Sequence, residues 1–86
     1  MKLVLTTSFQ KIVKKRCQKN PALRQVIEKQ LQYFSKNPYH PSLKTHKLVG
    51  KRSNQFSVRI TGDLRALCVV DGNTYIFFDL ITHDKY

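Results

Sequence analysis

Apolar residues along this chain recur first at helical and then at strand spacing. After a short β-like opening, Lys2–Thr6, the residues Phe9, Ile12, Val13 and Cys17 share one face of a helix for which Ser8 is the expected N-cap. Asn20-Pro21 gives a polar cap followed by proline, a favoured start for a second helix. Leu23, Val26, Ile27, Leu31 and Phe34 carry its apolar face to about Lys36. Asn37-Pro38-Tyr39-His40-Pro41 cannot extend that helix, so the chain turns there. Past a basic stretch with an expected turn at Gly50, strand period takes over. Gln55–Ile60 puts Phe56, Val58 and Ile60 on one face, and Thr61-Gly62-Asp63 makes a hairpin. Leu64–Val70 is a buried-looking strand interrupted by Arg65, Asp71-Gly72 marks a second hairpin, and Thr74–Leu80 returns. The order β-α-α-β-β-β predicts an α+β domain, its two N-terminal helices packed on one face of a small, mostly antiparallel sheet.

Eighty-six residues make one domain, 1–86, and bury only a modest core. Cys17 and Cys68 lie far apart in sequence at apolar positions, which suits reduced core thiols in a cytosolic protein. The apolar length of the N-terminus is too short for a signal peptide, and no run reaches the roughly 18 apolar residues of a membrane span. A soluble, cytoplasmic protein with no membrane partner is expected. Charge narrows the picture further. Sixteen basic against five acidic residues give +11, a field that draws in polyanions. A solubilising surface, nucleic acid, an anionic membrane and an acidic protein partner are all compatible with it.

The strand pattern accounts for its apolar residues and leaves a polar set over. Arg59 lies between Val58 and Ile60, so it points away from the core face. Arg65 opens the next strand, His46 precedes the meander, and His83 follows its final strand. Pairing the strands brings Arg59 and Arg65 together. Histidine exchanges protons near neutrality, so this basic surface could carry acid–base chemistry on a phosphodiester. Each residue also has an ordinary alternative. Arg59 could be a solvated strand residue, Arg65 could pair with Asp63, and Asp63 fits plain turn chemistry. His40 reads as a loop residue, and His83 and Tyr86 could belong to a frayed end. No cysteine or histidine spacing suggests a metal, and no cofactor is expected.

The ordered residues His46-Lys-Leu-Val-Gly50, Phe56-Ser-Val-Arg-Ile-Thr-Gly-Asp-Leu-Arg65 and Ile81-Thr-His-Asp84 resemble the RelE/ParE superfamily of bacterial type II toxin–antitoxin toxins. The resemblance covers nearly the whole chain and implies two helices on a small sheet. It is nearest to the YafQ- and RelE-type mRNA interferases. His46, Asp63 and His83 match positions of the YafQ pattern, and Arg65 matches an arginine that RelE-type toxins use against phosphate. Arg59 stands where the YafQ type has a further histidine, and Tyr86 lies one residue nearer His83 than the C-terminal aromatic of that type.

The resemblance implies a ribosome-dependent endoribonuclease that cleaves mRNA without a metal. The RNA 2′-hydroxyl attacks the adjacent phosphorus, leaving a 2′,3′-cyclic phosphate and a 5′-hydroxyl. His46 and His83 would supply base and acid, in an order the pattern leaves open. Arg59 and Arg65 would hold the phosphate, Asp63 would orient His46 or an arginine, and Tyr86 would position a nucleobase. Lys44, Lys47, Lys51 and Arg52 form a basic RNA-binding stretch. A cognate acidic antitoxin, the ribosome and mRNA are the implied partners. The competing readings are a ParE-like gyrase inhibitor, a non-enzymatic basic nucleic-acid-binding module, and a decayed toxin that keeps only its antitoxin.

Overall fold

The computed structural model describes residues 1–50 and 54–82. Strand β1 (Lys2–Leu5) leads into helices α1 (Thr7–Lys19) and α2 (Leu23–Lys36), then a single 3-10 turn at Pro41–Leu43. Strands β2 (His46–Lys47), β3 (Gln55–Arg59), β4 (Leu64–Asp71) and β5 (Thr74–Thr82) follow. They form one sheet in the order β1-β5-β4-β3-β2, antiparallel except where β1 runs parallel to β5. The predicted α+β order is present, extended by β2, a two-residue edge strand in what the sequence presents as a loop.

Both helices lie against one face of the sheet. Val58, Ala66 and Leu80 form one buried cross-strand row, and the buried Cys68 and Phe77 form the next with the half-buried Phe56. Phe9 from α1 and Phe34 from α2 close over Phe77, with ring centroids 5.8 and 5.1 Å away. These tilted and edge-on contacts suit the aromatic quadrupole. Phe77 and Leu80 both face this core although they are three residues apart. A β-bulge makes that possible: Leu67 pairs with Asp79 and Cys68 with Phe77, so Phe78 is an extra residue in β5.

Several local expectations change. Thr6 is the N-cap of α1, its Oγ1 accepting the Phe9 N–H at 3.1 Å; Ser8 lies inside the first turn and donates to the Phe78 carbonyl. Asn20 closes α1 through its own N–H rather than opening α2 with its side chain, and α2 starts at Leu23 without a side-chain cap. Val26 is 37% exposed, whereas Gln30 takes a core position between Ile27 and Phe34. At the second hairpin Asp71 pairs with Thr74, and Gly72 has φ +59°. Positive φ on the first central residue alone is the II′ pattern, which matches strand twist.

Candidate active site

The sheet face opposite the helices is populated by the residues that alternate out of the core, its rim half-exposed and its centre covered. Across it run two rows. His46, Ser57, Leu67 and Asp79 are successive cross-strand partners on β2, β3, β4 and β5. Arg59, Arg65 and Ile81 form the row beside them. His46 is therefore a diagonal neighbour of Arg59, at a separation of roughly 7–8 Å between backbones. Three strands thus deliver an imidazole and two guanidinium groups to one patch.

The arginines converge on the β3–β4 hairpin. Arg65 Nη1 donates to the carbonyls of Thr61 (2.6 Å), Leu64 (3.1 Å) and Gly62 (3.3 Å). Arg59 Nη2 lies 3.8 Å from where a side-chain carbon on Gly62 would sit. Among the described residues neither guanidinium is ion-paired to a carboxylate. The hairpin is braced by Thr61 Oγ1, which accepts from the Asp63 and Leu64 N–H groups at 3.2 and 3.0 Å. From the other side, Gln30 Nε2 donates to the Arg59 carbonyl at 2.8 Å and tilts toward the Ser42 carbonyl at 3.4 Å. One buried amide therefore ties α2 to the strand carrying Arg59 and to the turn before His46.

His46 is exposed, and its Nδ1 lies 3.0 Å from the Lys44 carbonyl. A carbonyl only accepts, so Nδ1 carries the proton. In the neutral ring the lone pair is then on Nε2. Lys44 itself adopts a left-handed conformation at φ +46°. The loop before it is held by Thr45 Oγ1 donating to the Pro38 carbonyl at 2.5 Å. His40 contributes too, but as a structural residue. It stacks on Tyr33 at 4.2 Å and accepts the Ser42 N–H at Nδ1, capping the 3-10 turn with the opposite tautomer to His46.

Not every expected residue joins this patch. Asp63 lines a cavity with Arg16, Lys19 and Asn20 on the helix side of the hairpin. No hydrogen bond or ion pair among the described residues links its carboxylate to Arg59 or Arg65. Lys47 pairs with Phe56, so it alternates to the side away from His46, at the exposed sheet edge. His83, Tyr86, Lys51 and Arg52 lie outside the described residues. Among the described residues, no three of His, Cys, Asp and Glu gather as a metal site.

Gln30, Ser57 and Asp79 are the residues that sequence reasoning passed over. Gln30 interrupts the apolar stripe Leu23, Ile27, Phe34 at core spacing, which is a readable sign of a buried polar tie. Ser57 is 0% exposed although it faces away from the helices, as is its neighbour Leu67 at 1%. Asp79 is a carboxylate among four apolar residues, and Oδ1 accepts the Leu80 N–H at 2.9 Å beside the bulge.

No protein-family model matches this chain, and no curated protein matches it. Solved structures do. A copper-bound mutant toxin from Helicobacter pylori superposes with a TM-score of 0.74 at 26% identity, covering 99% of this chain and 97% of that one. YafQ from Escherichia coli strain BL21(DE3) gives 0.76 at 17% identity over 94% and 91% of the two chains. The YoeB-YefM complex from Staphylococcus aureus gives 0.75 at 20% identity over 96% and 97%. Both likenesses extend the fold over more than nine-tenths of each chain.

Proposed function

This chain has the fold of the RelE/ParE toxin superfamily, and from that premise we propose that it is the toxin of a type II toxin–antitoxin pair, acting as a ribosome-dependent mRNA endonuclease. The observation that carries this reading is the opposed pair Arg59 and Arg65, with His46 diagonal to it. Cleavage proceeds by attack of an RNA 2′-hydroxyl on the adjacent phosphorus. His46 Nε2 takes the 2′ proton while Arg59 and Arg65 offset the charge that grows on the phosphorane. The P–O5′ bond breaks, the leaving 5′ oxygen takes a proton from His83, and a 2′,3′-cyclic phosphate remains. Tyr86 positions a nucleobase. These two roles rest on sequence pattern alone. No protein metal ligand is assigned a part. Asp63, beside Arg16 and Lys19 on the helix side of the hairpin, takes no part in this scheme.

The ribosome supplies the positioning that so small a surface lacks, and Lys44, Lys51 and Arg52 steer the strand by charge. The partner in the cell is a cognate acidic antitoxin. The net charge of +11 favours it, and the YoeB-YefM complex is an instance of this fold solved in a complex. Such a complex would form in the cytoplasm. Among the described residues no helix is long and apolar enough to cross a membrane.

The test is induction of the wild type and of His83→Ala in a bacterium, with growth followed and 5′ ends mapped on translated mRNA. Arrest with new in-frame ends for the wild type alone is expected. Arrest by both proteins with intact mRNA would replace the nuclease with a gyrase-type inhibitor. No arrest by either folded protein would leave a decayed toxin or a plain binding module.

A further inference from the structure

Helix α1 has the sequence Thr-Ser-Phe-Gln-Lys-Ile-Val-Lys-Lys-Arg-Cys-Gln-Lys, with five cations and no acid in 13 residues. Phe9 and Cys17 are buried against the sheet. A rotation of 100° per residue puts Lys11, Lys14, Lys15 and Gln18 on the opposite, solvent side, with Lys19 at its edge, and all five are exposed. Lys11 and Lys15, and Lys15 and Lys19, are four residues apart, the spacing at which like charges on a helix repel. Lys19 gains from the negative end of the helix dipole, but Lys11, Lys14 and Lys15 sit too far from it. Glu28 of α2 lines the same groove as Lys11 and Lys14, yet it is ion-paired to neither among the described residues. The stripe is thus an uncompensated row of positive charge, and folding alone gives no reason for it.

We infer that the outer face of α1 is a second polyanion site, which takes the phosphodiester backbone of folded RNA separately from the strand held at Arg59 and Arg65. The sheet separates the two surfaces: α1 packs on β5 from the helix side, and the arginines occupy the opposite side. One single strand cannot serve both. The composition of the stripe selects the ligand. It carries no aromatic or large apolar residue, whereas a protein interface needs such anchors and is depleted in lysine. An interfacial membrane helix would need an apolar wedge beside its lysines, and on α1 Phe9 and Cys17 are buried and Ile12 and Val13 half-buried on the side away from the stripe. Backbone phosphates ask only for spaced cations. The inference rests on the ribosome-dependent reading for its choice of RNA, and it explains how the toxin could grip the ribosome without using the surface that holds the substrate.

The test compares three variants with the wild type. They are Lys11→Gln/Lys15→Gln/Lys19→Gln, a matched Lys2→Gln/Lys29→Gln/Lys36→Gln, and Arg59→Gln/Arg65→Gln. Binding to a short RNA duplex is measured by filter retention over a salt series, and binding to purified ribosomes by co-sedimentation. The α1 variant should lose at least tenfold in duplex affinity, and its salt slope should fall by about 2–3, at about 0.7–0.9 per phosphate contact. Its melting temperature should stay level or rise, because the lysines repel one another. The matched variant and the arginine variant should both lose less. Equal losses in the α1 and matched variants would reduce the stripe to general charge and overturn the inference. So would unchanged duplex binding in the α1 variant, or wild-type binding to polyglutamate but not to duplex RNA. Loss of duplex binding in the α1 variant, with no ribosome binding by the wild type, would keep the site and remove the ribosome instead.

Discussion

Arg59 and Arg65 stand directly opposite each other on β3 and β4, and both guanidinium groups end beside Gly62. Like charges facing each other across two strands repel, so a divalent anion between them stabilises the folded chain. At matched ionic strength, sulfate or phosphate in place of chloride should raise the melting temperature of the wild type more than that of Arg59→Gln or Arg65→Gln. Equal shifts in all three would show that the pair holds no anion.

The two arginines differ in what else they do. Arg65 donates to three hairpin carbonyls, while the Arg59 side chain makes no hydrogen bond among the described residues. Arg65→Ala should therefore cost about 1–3 kcal/mol of stability, and Arg59→Ala less than about 0.5 kcal/mol. Both should reduce mRNA cleavage by at least ~10²-fold if the pair stabilises the phosphorane. Urea denaturation and 5′-end mapping separate the two effects.

Gln30 is the buried tie between α2, β3 and the turn before His46. Gln30→Leu keeps the volume near that of glutamine and leaves the Arg59 carbonyl without this donor. The expected loss is about 1–3 kcal/mol in chemical denaturation, the cost of an unsatisfied buried acceptor. An unchanged midpoint would mean that the carbonyl finds another donor.

Burial pushes the Cys68 thiol from an ordinary 9.0 up to about 12. Between those values the unfolded chain has released the proton that the folded chain still holds, so stability falls as pH rises. The contribution is complete below about pH 9 and lost as pH climbs toward about 12, by up to about 1.4 kcal/mol per pH unit. Cys68→Ala should be less stable at neutral pH, with a shallower decline in an alkaline denaturation series. Parallel declines would remove Cys68 as the cause.

How much of this was legible in the residues varies with how local the signal is. The helices, the two hairpins and the pairing of Arg59 with Arg65 follow from period and turn chemistry within a few positions. Strand β2 is two residues long and owes its form to pairing with Ser57 and Phe56, so it leaves no period of its own. Ser8 and Thr6 are both hydroxyl residues, and the placement of Phe9 in the core decides which one caps α1. The bulge lies in Phe77-Phe78-Asp79-Leu80, where either phenylalanine could be buried by alternation alone. Asp63 shows the same limit at the site. Its neighbours in sequence suggest the open face, whereas the turn directs it to the cavity beside Arg16.

The parallel pairing of β1 with β5 sets an order of events for a newly made chain. Lys2 finds its partner in Thr74, and Leu5 finds Phe77, so the opening strand emerges long before anything can bond to it. Helix α1 waits as well, since β5 forms its floor. Contacts so distant in sequence close large loops, which slows folding. Until β5 has been made, the apolar positions of α1 therefore have no sheet to cover them.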